Sequence, residues 1–295
     1  MPQGQSGQGL LWLGTMSRSS LLLPLLALLP LVQGCGPFEK KVTLKFSPQV
    51  GEQALRCDAD YPGLGKTGST VQLLDFKLYV RDVALVRANG ERHPLVLEQD
   101  GKWQREALAL LDFEDGTGTC DTGSPEVRGE IVGRVPDHDD YTGLEFKLGL
   151  PPELNHLDGA TAPAPLNAPG MWWSWQGGYK FMRLDVRTSG NEVFFFHLGA
   201  SGCTGTVAEG FTCAEDNQAV VRLSNFDASR HQLVLDLAAL YADVNLDHVI
   251  DNETDFISGC MSSATDPQCP ALFAPLGMAV GEPSRELPIT FFRVK

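Results

Sequence analysis

The sequence predicts a mainly β protein, an antiparallel β-sandwich or open barrel with long disulfide-fixed loops. Three observations carry that expectation. Short runs rich in aliphatic, β-branched and aromatic residues recur along the chain, punctuated by Gly, Pro, Asn and Asp. Helical signal is confined to the stretches from Asp236 to Tyr241 and from Pro270 to Leu276, a turn or two each. Apart from Cys35, the cysteines are even in number: Cys57, Cys120, Cys203, Cys213, Cys260 and Cys269.

Taken in order, the first strand is marked by Val42, Leu44 and Phe46, which alternate with polar residues as a half-buried strand requires. Residues 71–86 give two runs, interrupted at Arg81-Asp82. Further strands are expected at 107–113, 127–135, 144–150, 179–187, 193–198, 219–226, 232–237 and 288–294. Between 150 and 178 a Pro/Asn/Gly-rich stretch has no strand pattern. Loops of this length are usually functional or disordered, and its tryptophans argue for order.

The N-terminus carries its own signal. Arg18 precedes a twelve-residue apolar run from Leu21 to Val32. A membrane-spanning helix needs about 20 apolar residues, so this run fits the core of a signal peptide. It ends in Leu31-Val32-Gln33-Gly34-Cys35, similar to a lipoprotein cleavage box. Residues 1–34 are therefore expected to be a lipoprotein signal peptide and 35–40 a linker from a lipidated Cys35. A single β domain then covers 41–295. The protein is expected to be exported and held by its lipid at a membrane, in the periplasm or at the outer-membrane or cell surface. Net charge is −14, and loss of Arg18 with the leader makes it more negative. Such a chain repels nucleic acid, whose binding needs basic surfaces.

An even cysteine count in an exported chain points to disulfides. The close spacing of Cys203 with Cys213 and of Cys260 with Cys269 suggests two local bridges, leaving Cys57 for Cys120. No C-x-x-C spacing supports a thiolate metal site instead.

The densest chemical feature runs from Met171 to Phe181, with Trp172, Trp173 and Trp175 inside four residues. An aromatic plug, a carbohydrate platform and redox-active indoles beside a metal all fit that motif. His197 lies in an apolar strand and His156 at the mouth of the long loop. Two imidazoles near a polarizable sulfur such as Met171 suit copper. His93, His138, His231 and His248 fall in polar, turn-like contexts and are expected at the surface. Asp243, Asn245, Asp247 and Asp251 resemble a calcium loop, but His248 and Thr254 occupy its glycine and glutamate positions. Calcium is thus a second candidate ion, outside the EF-hand pattern. No G-x-S-x-G, H-E-x-x-H or phosphate loop occurs, so no enzymatic active site is expected.

Several motifs form an ordered series: Cys57…Tyr61…Leu64-Gly65, Trp103-Gln104, Leu110 to Phe113, and Leu148-Gly149-Leu150-Pro151. The series continues with Leu154-Asn155-His156, Pro165-Leu166-Asn167, Met171 to Phe181, and Phe196-His197-Leu198-Gly199. It closes with Cys203, Cys213, Asn217, Gly259-Cys260-Met261 and Cys269. This order resembles the MbnP family, the four-cysteine half of a bacterial metallo-mystery pair. The resemblance implies binding of copper, as Cu(I) or Cu(II), and a di-haem cytochrome c peroxidase-like partner of the MbnH type. That partner would oxidise a tryptophan of this chain to kynurenine. By match to the family motif, His156 and His197 are the implied ligands, and Trp173 and Trp175 fall on its W-x-W, with Trp172 in a more variable slot. The related copper proteins MopE and CorA use two histidines beside a kynurenine. Two other readings of the residues compete: a surface carbohydrate-binding or adhesion module using Trp172 to Trp175, and a calcium-stabilised structural lipoprotein.

Overall fold

Alternation at the start of the domain is realised as written. In the computed structural model, which describes residues 38–248, 257–282 and 285–295, Val42, Leu44 and Phe46 are buried along the Glu39–Val50 strand. The expected signal peptide and Cys35 lie outside the described residues. The strand opens two residues before the expected domain boundary, with Glu39 and Lys40 already paired to Pro136 and Val135.

Glu39–Val50 is central to one sheet, ordered Phe292–Val294, Leu233–Asp236, Glu39–Val50, Glu130–Pro136, Val96–Leu97. The second sheet is organised on Ser69–Arg87, a nineteen-residue strand that changes partners along its length. At Leu78 it pairs with Met182 of Gly178–Arg187 on one edge and Leu111 of Leu108–Asp112 on the other. At Val80 the partners are Leu148 of Tyr141–Leu148 and Ala109. Phe194–Gly199 continues the sheet beyond Gly178–Arg187, and Gly259–Cys260 follows it.

The expected break at Arg81-Asp82 is a bulge inside this one strand. Asp82 has φ 53°, and the register against Tyr141–Leu148 shifts there. A bulge inserts one residue without ending the strand, which is why the sequence reads as two runs.

The sheets pack face to face as a sandwich. Phe146 of the second sheet meets Phe46 and Phe292 of the first edge-on, at 5.9 and 5.2 Å between ring centroids. Burying a Phe fully is worth roughly 1.5–3 kcal/mol. Strand pairing does not close into a barrel among the described residues. Most pairings are antiparallel, but Phe46–Gln49 run parallel to Leu233–Asp236, and Phe195–Phe196 parallel to Gly259–Cys260. The Leu237–Tyr241 helix begins where Asp236 accepts hydrogen bonds from the Ala238 and Ala239 amides. The three expected disulfides, Cys57–Cys120, Cys203–Cys213 and Cys260–Cys269, are formed.

Candidate metal centre

Four adjacent strands set a row of polar side chains across the second sheet. Asp112 pairs with Lys77, Lys77 with Arg183, and Arg183 with His197. Two residues along, on the same face, Asp75 pairs with Asp185. Asp75, Lys77, Asp112, Glu114, Asp185 and His197 are all buried.

Their contacts form one continuous chain. Lys77 Nζ lies 2.9 Å from Asp75 and 3.7 Å from Asp112, and also pairs with Glu114. Arg183 bridges Asp75 at 2.8 Å and Asp185 at 2.7 Å. Asp185 Oδ1 in turn lies 2.6 Å from His197 Nε2. Burial raises the Asp112 carboxyl to about 7, aided by Glu114 and opposed by Lys77. Burial alone would lower the Lys77 ammonium, but Asp75, Asp112 and Glu114 together hold it above its ordinary value. Asp185 is held below the usual carboxylate range, burial being outweighed by His197 and Arg183.

His197 ends the row. Burial lowers its pKa, and Asp185 offsets this only in part, so the imidazole is neutral at neutral pH. Its proton is fixed on Nε2 by the Asp185 carboxylate, which leaves a lone pair on Nδ1. That Nδ1 atom is buried and has no hydrogen-bond partner. Metal-ligating histidines characteristically give their second ring N–H to a carboxylate or carbonyl in this way.

The long loop supplies the other imidazole. Pro152 opens the short Pro152–Asn155 helix, and His156 caps it. Buried Asn155 accepts a hydrogen bond from the Tyr179 amide at 3.0 Å, tying the helix to the Gly178–Arg187 strand. Gly178, at φ +72°, makes room: a side chain there would come within 2.7 Å of Asn155. His156 Nδ1 donates to the Trp175 carbonyl at 2.8 Å, so its lone pair is on Nε2. Nε2 faces the Asn155 amide at 3.2 Å and Cys213 Sγ at 3.5 Å, and the ring stacks on Phe211 at 4.4 Å.

Between the histidines lies the tryptophan segment. The Trp173 ring centroid is 6.1 Å from that of His197. Trp173 packs on Gly199, where an added Cβ would meet its Cζ3 at 2.5 Å. Lys180 Nζ sits 5.4 Å from the Trp173 ring centroid and donates to Gly170 O at 2.6 Å. Burial, with Arg183 second, lowers its ammonium to about 8. Trp172 and Trp175 meet edge to face at 5.7 Å, with Trp175 40% exposed. Met171 is fully buried, and its carbonyl accepts from the Lys180 amide at 2.7 Å.

Motif residues around the end of the Phe194–Gly199 strand converge as well. Ser262 Oγ accepts from the Gly199 amide and donates to the His197 carbonyl, each at 2.8 Å. Asn217 Nδ2 donates to Gly199 O at 2.9 Å and Ser262 O at 3.1 Å. Gln176 Nε2 ties the tryptophan loop to Cys203 O at 2.9 Å. With the strand that carries His197, the disulfides and the tryptophan loop thus on one frame, the sequence profile that matches residues 39–262 is that of MbnP. The chain belongs to the MbnP family. Among solved structures, MbnP from Methylosinus trichosporium aligns with a TM-score of 0.77 at 28% identity, covering 87% of this chain and 98% of that one. No curated protein sequence matches. Within this MbnP fold, sequence reasoning singled out both histidines and the indoles as candidates and did not see the charged row. Its signal was present, as paired charges two residues apart in apolar runs: Asp75/Lys77, Asp112/Glu114 and Arg183/Asp185.

The acidic segment has other contacts in its described part. Asp247 Oδ1 accepts from Ser69 Oγ at 2.7 Å and from the Gly190 amide at 2.8 Å. Asp251 and Thr254 lie outside the described residues.

Proposed function

We propose that this MbnP-family protein is an exported, non-enzymatic copper-binding lipoprotein, anchored through Cys35, that uses His156 and His197 as ligands. The observation that carries the reading is the buried Nδ1 of His197, which has no hydrogen-bond partner while Asp185 holds the opposite nitrogen. His156 likewise has one nitrogen held by the Trp175 carbonyl, while its Nε2 accepts from Asn155 Nδ2 at 3.2 Å, a contact that a metal would displace. Neutral imidazoles suit copper in either oxidation state. Copper bound there would be a Lewis-acidic, redox-active ion beside the Trp173 indole. The protein's own part is to keep the His197 ring neutral, to aim both rings, and to exclude water from His197.

In the same reading, one of Trp172, Trp173 and Trp175 is the indole that a di-haem peroxidase-like partner converts to kynurenine. Calcium in the Asp243 to Asp255 segment and a carbohydrate platform are less well supported. Asp247 is already engaged by Ser69 and Gly190, and Trp172 and Trp175 are perpendicular at 88°, so they share no flat face.

The test is a copper titration of the folded protein against a chromophoric chelator. His156→Ala and His197→Ala should each abolish tight binding with the disulfides intact, whereas His231→Ala, at a turn where its Nδ1 accepts from the Asp227 amide, should not. Copper binding unchanged in both ligand variants would sink the site. Membrane fractionation of Cys35→Ala tests the anchor independently.

A further inference from the structure

The charged row is also the floor of a cavity. Leu110, Asp112 and Glu114 follow one another at alternate positions, beside Lys77 of the Ser69–Arg87 strand and Arg183 of the Gly178–Arg187 strand. Three loops enclose about 850 Å³ against this floor. One is the 101–103 bend with Trp103, the second the 122–126 stretch, and the third the part of the long loop that carries Pro165 and Ala168. A cavity of this size, apolar along its walls and with a few polar groups converging, is the usual form of a small-molecule site.

The floor is short of positive charge. Four carboxylates, Asp75, Asp112, Glu114 and Asp185, share two cations, Lys77 and Arg183. Asp75 has both, and Asp185 has Arg183 and His197. The deficit therefore falls on Asp112, 3.7 Å from Lys77, and on Glu114, which meets Lys77 through Oε1. Glu114 is 2% exposed, and its Oε2 is buried with no hydrogen-bond partner. A buried carboxylate oxygen without a donor is costly. It packs against Gly123, part of the cavity wall, where an added Cβ would collide with it. Burial pushes the Asp112 carboxyl up to about 7 against the pull of Lys77, so a proton makes good part of the deficit.

Geometry selects the kind of cation. Among the described residues, the oxygens of Asp75, Asp112 and Glu114 do not converge as the ligand atoms of one metal ion must. An ammonium group presents three separate N–H donors and is satisfied by acceptors spread around it.

We propose that this cavity binds a small organic cation, a primary ammonium carried on an aryl or alkyl body. The ammonium bonds Glu114 and Asp112, and the body packs among Trp103, Leu110, Pro165 and Ala168. A carboxylate ligand of the same shape meets the excess negative charge and is rejected. The site is independent of the His156/His197 reading.

Calorimetric titration of the full chain with phenethylammonium tests this, with phenethyl alcohol and hydrocinnamate as the neutral and anionic counterparts. Wild-type protein should bind the ammonium at least tenfold more tightly than either counterpart, and Glu114→Gln should remove that advantage, since a hydrogen bond to a charged group is worth about tenfold or more. Ala168→Phe, which fills the cavity from the half-buried loop without touching an ion pair, should abolish binding and keeps the test valid even if Glu114→Gln fails to fold. Absence of binding to the wild type, equal binding of the alcohol, or binding unaffected by Ala168→Phe overturns the proposal.

Discussion

His197 Nε2 and Asp185 Oδ1 stand 2.6 Å apart in the buried end of a row of charges that crosses four strands. The pair decides which imidazole nitrogen carries the proton, and therefore which one is open to a metal. Asp185→Asn keeps the shape but removes the carboxylate charge. Loss of such an outer partner typically costs 10–100-fold in metal affinity. We expect copper affinity to fall by that factor in Asp185→Asn, with far-UV circular dichroism unchanged.

Asp112 makes stability depend on pH. Its carboxyl is raised from 3.8 to about 7, so between those values the folded state keeps a proton that the unfolded chain has lost. Stability therefore falls as pH rises from about 4 to about 7 and levels off above. Asp112→Asn cannot ionise and should lose this decline, gaining about 1–3 kcal/mol on wild type at pH 8 compared with pH 4. Denaturant unfolding at both pH values measures it.

Much of the fold was legible in the sequence, and the reasons are particular. Alternation at Val42, Leu44 and Phe46 has a period of two because one face meets the core. Cysteine spacing suggested the disulfides because short loops close most readily. What could not be read was register. The alignment of Lys77 with Asp112 and Arg183, and of Arg183 with His197, depends on strands far apart in the chain. For the same reason His93 and His138 looked like unrelated surface residues. Each lies in a polar stretch, yet the fold sets their ring centroids 5.1 Å apart.

The bridges should differ in worth. Cys57–Cys120 spans 63 residues and Cys203–Cys213 only 10. In the chain-entropy model the longer loop is worth about 4 kcal/mol and the shorter about 3. The Cys57→Ala/Cys120→Ala variant should accordingly lose more stability than Cys203→Ala/Cys213→Ala. The second should also disturb His156, which lies 3.5 Å from Cys213 Sγ, and so weaken copper binding where the first does not. Unfolding curves and copper titrations on both variants separate the effects.

Gly199 is held small by Trp173 and by the Tyr179 carbonyl, which an added Cβ would approach to 2.9 Å. Overpacking of this kind costs about 1–3 kcal/mol. Gly199→Ala should lose that much and shift tryptophan fluorescence, because Trp173 must move off the strand end. Unchanged emission with unchanged stability would contradict the packing described.

Pairing of Phe46–Gln49 with Leu233–Asp236 joins the beginning of the domain to a segment nearly two hundred residues later. During synthesis, the first strand therefore waits unpaired on that edge until most of the chain has emerged. Contacts of such long sequence separation form slowly, and an exposed strand edge invites pairing with other chains. Any product ending before Leu233 is thus left with a permanently open edge, which makes truncated chains aggregation-prone, protease-sensitive species.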